Sequence, residues 1–203
     1  MAARKLREWY PGAIYHLMGR GIRRLEIYTY EEDYLVFLAI LETALAKYKC
    51  VLHAYCLMTN HFHLLLETTD HEVWHLMKQL IQLYAMYYNH AHHFKGHVFE
   101  DRYKSCLVKS DVYFLQTSRY IHLNPVKAKM CLRPEQYRWS SYRCIAMGEQ
   151  SKIVSAEKTL AYFGARQAAT RYIDFIEDIA HKYVVDEESI RKTMGEDELW
   201  LPW

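Results

Sequence analysis

The sequence predicts an α+β fold in which helices cover one face of an antiparallel sheet. Three observations carry this. Apolar runs of strand length alternate with stretches of helical spacing, in the order β-α-β-β-α-β-α. Two of the strand-like runs are separated by Thr59-Asn60 alone, which makes them an antiparallel hairpin. The chain is also long enough, at 203 residues with 51% hydrophobic and 25% charged residues, to bury a core of its own.

Taken in order, Ala13-Ile14-Tyr15-His16-Leu17-Met18 reads as a strand that ends in Gly19-Arg20-Gly21, a flexible basic loop. Thr29-Tyr30-Glu31-Glu32 has capping-box spacing, and Leu35, Leu38, Leu41 and Leu45 follow at helical intervals, so a helix is expected over 30–49. The hairpin strands are 51–58 and 61–68. Thr69-Asp70-His71-Glu72 repeats the capping-box spacing before a helix with Leu76, Leu80, Leu83 and Tyr87 on one side, running to Asn89. A histidine-rich loop, His90-Ala91-His92-His93, then leads to a fourth strand over 97–108. Ser110 caps a third helix from Asp111 to Asn124, where Pro125 is expected to stop it. The first six elements are those of a ferredoxin-like split βαβ unit, and the third helix is an addition to it. Strand patterning is lost beyond residue 150, where helices are expected over 156–163, 167–183 and 187–194. Residues 1–150 therefore read as one domain and 151–203 as a helical C-terminal extension.

Composition excludes several classes. The apolar runs fall short of the roughly 18 residues that suggest a membrane span, and Met1-Ala2-Ala3-Arg4-Lys5-Leu6-Arg7 leads into no apolar signal core. A cytoplasmic protein without membrane contact is expected. The five cysteines are odd in number and form no Cys-x-x-Cys pair, which argues against a disulfide framework and a zinc ribbon. The net charge of +2 conceals an asymmetry: residues 1–150 hold 19 Lys and Arg against 14 Asp and Glu, and residues 151–203 hold 7 against 10. A mildly basic body suits an anionic partner, and 18 tyrosines and 5 tryptophans offer rings on which unstacked bases can lie. Each such ring serves equally well as an ordinary core residue.

Two groups of residues could carry chemistry. In His61-Phe62-His63 the imidazoles are spaced i, i+2 and so share one face of a strand, while Phe62, Leu64 and Leu66 take the other face. Such a pair can share a divalent ion or be structural. In the third helix Tyr120 and Asn124 lie one turn apart on one face, and Ile121 and Leu123 point elsewhere. That pair is either a phenol beside a metal-capable amide or a half-buried tyrosine with a helix-terminal asparagine. Glu67 shares the face of His61 and His63 but lies about 13 Å along the strand from His63, too far for a shared ligand set. His90, His92, His93 and His97 sit in a loop without ligand geometry. His122 is turned away from the Tyr120–Asn124 face toward a supporting or core role, and His16 could face the site from the first strand.

With both groups in place, the chain resembles the single-tyrosine transposases of the HUH nuclease superfamily, particularly the REP-associated tyrosine transposases of the insertion-sequence-200-like family. The resemblance spans 10–145. It rests on Tyr15-His16-Leu17-Met18-Gly19-Arg20-Gly21, on the segment from His53 to Glu67, on that from Gly96 to Ser105, on that from Arg119 to Val126, and on Trp139-Ser140-Ser141-Tyr142. Thr59 stands where the family often has proline, and Glu100-Asp101 is more acidic than the pair expected before Arg102.

The resemblance implies that His61 and His63 are the paired histidines, Tyr120 the nucleophile, and Asn124 the residue that completes the metal site. A phenol with a pKa of about 10 needs help to attack as phenolate. Mg²⁺ or Mn²⁺ held by these ligands would polarise the scissile phosphate, giving a 5′-phosphotyrosine and a free 3′-OH that a second strand end can rejoin without ATP. The implied substrate is single-stranded DNA folded into hairpins, with Arg20, Arg23, Arg24, Arg102, Lys104 and Arg119 as phosphate contacts. A homodimer is also implied, with the partner of Tyr120 in its own or the other subunit left open. The alternatives are a replication-initiator or relaxase-type enzyme, a domesticated, non-cleaving hairpin-binding protein, and a metalloprotein unrelated to nucleic acid, which would leave the tyrosine helix unexplained.

Overall fold

The structure, a computed structural model, describes residues 8–177. Strands β1 (Ile14–Arg20), β2 (Val51–Met58), β3 (His61–Glu67) and β4 (Lys104–Val108) form one antiparallel sheet in the order β2-β3-β1-β4. Helices α1 (Glu31–Tyr48) and α2 (Val73–Ala91) connect them as the split βαβ order requires. Alternation along the strands sorts the core. Tyr15, Leu17, Phe62, Leu64 and Leu66 face α1 and α2 and pack with Phe37, Leu41, Leu76, Leu80 and Tyr84. Ala54, Cys56, Met58 and Leu65 point the other way, where α3 (Asp111–Lys127) closes over them with Phe114 and Ile121. The α+β class and the antiparallel sheet are as the sequence predicts.

Gly19 explains one close approach. It pairs with Phe62 across β1 and β3, and a Cβ on it would lie 2.5 Å from the Phe62 ring. With glycine at this position the ring keeps its place; any Cβ would force it to shift.

Several local expectations shift. Leu35 and Leu83 are exposed, because the buried stripes run through Tyr34, Phe37, Leu41 and Leu45 on α1 and through Leu76, Leu80, Tyr84 and Tyr88 on α2. The first capping box closes on Asp33 rather than Glu32, with the Asp33 carboxylate accepting from the Thr29 and Tyr30 amides at 2.8 Å. The second does not form: α2 starts after Glu72, and Thr69 Oγ1 donates instead to the Lys49 carbonyl.

Strand β4 spans five residues, not the twelve expected over 97–108. Val98, Phe99 and Tyr103 are all buried, yet they reach the core from an irregular segment, and Glu100 and Asp101 turn the chain outward between them. Ser110 caps α3 as expected, accepting from the Tyr113 amide at 3.2 Å. Pro125 does not end α3. It sits in the last turn, the Ala128 amide still reaches the Asn124 carbonyl, and the stop comes at Lys129, whose φ of 58° is left-handed.

Beyond the sheet, α4 (Tyr142–Ala146), α5 (Glu157–Ala161) and α6 (Ala168–Glu177) share a small core with Leu123 of α3. The helices expected over 156–163 and 167–183 correspond to α5 and α6 within the described residues, and that over 187–194 lies outside them. The cysteines at 50, 56, 106, 131 and 144 are free thiols. No helix among the described residues is long and apolar enough to cross a membrane.

Candidate active site

The β2–β3 turn delivers His61 and His63 to the α3 face of the sheet, and β1, paired antiparallel with β3, brings His16 beside them. Met18 is the direct partner of His63 and His16 that of Leu65, so the two imidazoles are diagonal neighbours on one face. His16 Nε2 lies 3.0 Å from His63 Nδ1, and the His61 and His63 ring centroids are 5.0 Å apart. All three rings are buried. Burial disfavours the charged imidazolium, pushing His16 and His61 down to about 3 and His63 well below its ordinary value. Arg20 adds to the effect on His61. At neutral pH each ring therefore keeps a lone pair.

Helix α3 supplies the phenol. The Tyr120 ring stands edge-on to His63 at 5.4 Å and to His16 at 5.8 Å, so phenol and imidazoles of one chain meet. The Lys127 ammonium, two turns along α3, lies 5.5 Å from the Tyr120 ring centroid. Asn124 is buried one turn below Tyr120, with its Nδ2 donating to the Tyr120 carbonyl at 3.1 Å. That commits the amide nitrogen and leaves Oδ1 as the end suited to a cation.

Beside the histidines opens a cavity of about 330 Å³ lined by His61, His63, Arg20, Glu100, Arg102 and Lys104 among others. Arg20 reaches it from the end of β1, with its guanidinium 4.0 Å from the Glu100 carboxylate. The other expected phosphate contacts divide. Arg102 and Lys104 line the cavity, and Arg23 and Arg24 are exposed in the single 3₁₀ turn after β1. Arg119 instead lies over the Phe175 ring of α6, 5.5 Å from its centroid.

Three other histidines have partners elsewhere. His122 bonds through Nδ1 to the Tyr172 hydroxyl at 2.6 Å and through Nε2 to Ser141 Oγ at 2.7 Å, while Ser118 Oγ also reaches Tyr172 at 2.8 Å. This buried network ties α3 to α6 and supports the helix that carries Tyr120. His92 bonds Asp33 at 2.8 Å, and Glu67 pairs with His53 and Lys158 away from the site. Sequence reasoning left His16 undecided and missed Lys127. The i, i+7 spacing of Tyr120 and Lys127 is a readable signal, whereas the His16–His63 contact depends on strand register.

The class that the structure defines is an α+β protein whose antiparallel sheet carries buried histidines against a tyrosine-bearing helix. More narrowly, the chain belongs to the IS200-like transposase family, whose model, "Transposase IS200 like", matches residues 10–124. It is thus a protein of DNA transposition. Among solved structures it is similar to a REP-associated tyrosine transposase bound to a REP hairpin, at 15% identity and a TM-score of 0.61, covering 76% of this chain and 92% of that one. It is also similar to a candidate transposase from Deinococcus radiodurans R1, at 23% identity and a TM-score of 0.42 over 59% of this chain and 95% of that one. No curated protein matches it significantly.

Proposed function

We propose that this protein cleaves and rejoins single-stranded DNA through Tyr120, with His61, His63 and Asn124 holding Mg²⁺ or Mn²⁺. The observation that carries the proposal is the placement of the Tyr120 ring against His63 and His16 within one chain. The donor set fits a divalent ion. The imidazoles are held neutral by burial, and His63 Nε2 is buried without a hydrogen-bond partner. Among the described residues no group of three His, Cys, Asp or Glu side chains forms a metal cluster. A set of two imidazoles and one amide oxygen lies outside that description, and phosphate oxygens and water complete it for these ions. When bound, the ion supplies charge neutralisation and polarisation at the scissile phosphate.

The chain's own residues do the rest. Arg20, Arg102 and Lys104 draw the phosphodiester into the cavity, and the exposed Arg23 and Arg24 serve as further backbone contacts. Lys127 places its ammonium over the Tyr120 ring and so puts a positive charge beside the attacking residue. Tyr120 Oη attacks phosphorus, the bond to the 3′ oxygen breaks, and that oxygen takes up a proton. The protein is left with a 5′-phosphotyrosine and the DNA with a free 3′-OH. Attack on this linkage by a second 3′-OH forms a new phosphodiester and releases Tyr120. The neighbour bound to a REP hairpin supports hairpin-forming single strands as the substrate. In a homodimer, each subunit on this reading carries its own complete site.

The test is incubation with single-stranded hairpin DNA and Mn²⁺, followed by denaturing electrophoresis. A covalent adduct lost in Tyr120→Phe and in His61→Ala is expected. An adduct that survives Tyr120→Phe sinks the nucleophile assignment. Binding without an adduct on any hairpin sinks cleavage and favours a non-cleaving hairpin-binding protein.

A further inference from the structure

Each of the paired imidazoles is backed by a different uncharged side chain. Asn60, in the β2–β3 turn, places Oδ1 2.6 Å from His61 Nδ1, and its Nδ2 donates to the Arg24 carbonyl at 3.1 Å. A carbonyl oxygen only accepts, so the Arg24 contact fixes which end of the Asn60 amide is nitrogen and turns its oxygen toward His61. That oxygen also only accepts. His61 Nδ1 must therefore carry the proton, which places the ring's lone pair on Nε2.

On the neighbouring strand His16 Nε2 stands 3.0 Å from His63 Nδ1, with both rings buried. Two tautomer arrangements satisfy that bond. One of them puts the His63 proton on Nε2, an atom that is buried and has no hydrogen-bond partner. An orphaned N–H donor is what protein interiors avoid most strictly. The other puts it on Nδ1, donates it to His16 and leaves a lone pair on Nε2. The second arrangement is the one the burial favours.

We propose that Asn60 and His16 are positioning residues that hold His61 and His63 in the same Nδ1–H tautomer, so that two Nε2 lone pairs are presented to one divalent ion. The inference rests on the metal reading of this site and adds the groups that orient its ligands. Imidazole ligands are commonly backed by a carboxylate, which raises their basicity, or by a neutral acceptor, which does so less. Here both backing groups are neutral. Exchanging the Asn60 amide for a carboxylate keeps an acceptor oxygen before His61 and strengthens the donation.

Nitrogen NMR of metal-free, histidine-labelled protein reads the tautomers directly. His61 and His63 are both expected to carry the proton on Nδ1, and an Nε2–H signal from either ring overturns the proposal. Mn²⁺ titration followed by electron paramagnetic resonance, without DNA, supplies the second measurement. Asn60→Ala and His16→Ala are expected to weaken Mn²⁺ binding by about 10–100-fold. His16→Gln, whose amide oxygen can take the place of Nε2, recovers most of that loss, and Asn60→Asp binds more tightly than the wild type. A purely structural role would lower the melting temperature of these variants without producing that order of affinities. Equal Mn²⁺ affinity across folded variants also overturns the proposal. Nδ1–H tautomers and the expected affinity order, found together with no DNA adduct in the wild type, would uphold the positioning role while removing the nuclease reading.

Discussion

Both faces of the sheet are buried, but only the α3 face combines its apolar residues with a cluster of histidines. Toward α1 and α2, β1 and β3 present Tyr15, Leu17, Phe62, Leu64 and Leu66, which aliphatic and aromatic neighbours fill completely. Toward α3 the intervening residues of the same two strands present His16, His61 and His63, against a helix that buries Gln116, Thr117 and Ser118. A core built for stability alone has no use for three uncharged imidazoles, because each buried polar atom must be matched or it costs free energy. The difference teaches that burial alone does not separate scaffold from site. Which atoms are buried, and what they are aimed at, does.

The sharpest way to break this comparison is to make the α3 face resemble the other one. His63→Leu replaces an imidazole by an alkyl group of similar size. DNA cleavage is expected to fall by about a thousandfold or more, since metal-assisted charge stabilisation is worth several kcal/mol of barrier. Thermal stability should change far less than activity, because the gain from removing one buried polar group is set against the loss of the partner that His63 gives to the buried His16 Nε2. Adduct formation near the wild-type rate would remove His63 from the reaction. Phe62→Ala, one residue away on the opposite face, should do the reverse. It is expected to cost about 3–5 kcal/mol of stability by denaturant unfolding, through lost burial and the cavity left between Phe37 and Gly19. Cleavage per folded molecule should survive. A variant that melted normally but failed to cleave would show that Phe62 serves the site and not the core.

How much of this was legible in the sequence follows from how local each feature is. The order of elements and the hairpin were readable because strand length, helical spacing and a two-residue turn are local signals. So was the partition of β3, where strict alternation puts Phe62 and the two histidines on opposite faces. The leucine spacing misled on α1 and α2 because large aromatics one residue away, Tyr34 and Tyr84, filled the core in place of Leu35 and Leu83. Strand β4 was drawn too long because Val98, Phe99 and Tyr103 have strand-like composition but bury themselves from an irregular segment. Pro125 was read as a stop, although in a last turn its missing N–H removes a single helical bond. In the site, the histidine pair and Tyr120–Asn124 were visible as spacings. His16 against His63 was not, because β1 and β3 are 47 residues apart and only their register makes the two rings neighbours.

A smaller effect compares one hydroxyl on each side of the sheet. On the α3 side, Tyr172→Phe removes the oxygen shared by Ser118 and His122, leaving buried polar groups unmet at a cost of about 1–3 kcal/mol. Those groups flank Tyr120 on α3, so the cleavage rate should fall as well as the melting temperature. On the other side, Tyr84→Phe removes a hydroxyl that donates to the Ile27 carbonyl, and its cost should appear in stability alone. Paired unfolding curves and single-turnover cleavage rates decide the matter. Equal rates in the two variants would separate the α6 contact from the positioning of Tyr120.

The smallest effect concerns a buried carboxylate on the α1–α2 side. Asp33 accepts from the Thr29 and Tyr30 amides at 2.8 Å, from His92 at 2.8 Å and from the Tyr87 hydroxyl at 2.9 Å. Burial works to raise its pKa, but the four donors together outweigh burial and hold it below the usual value. Since the folded pKa lies below the unfolded one of about 3.9, the stabilisation is fully present above that value and is lost as pH falls through the folded pKa. Asp33→Asn keeps the shape, loses the charge and should cost about 0.5–2 kcal/mol at neutral pH, the range of a helix cap. Urea unfolding from neutral to acidic pH should then show the two proteins converging at low pH. Parallel curves across that range would mean that Asp33 holds the start of α1 by geometry and not by charge. In that event the α1–α2 side would owe its stability to apolar contact alone, and the contrast with the α3 side would be sharper still.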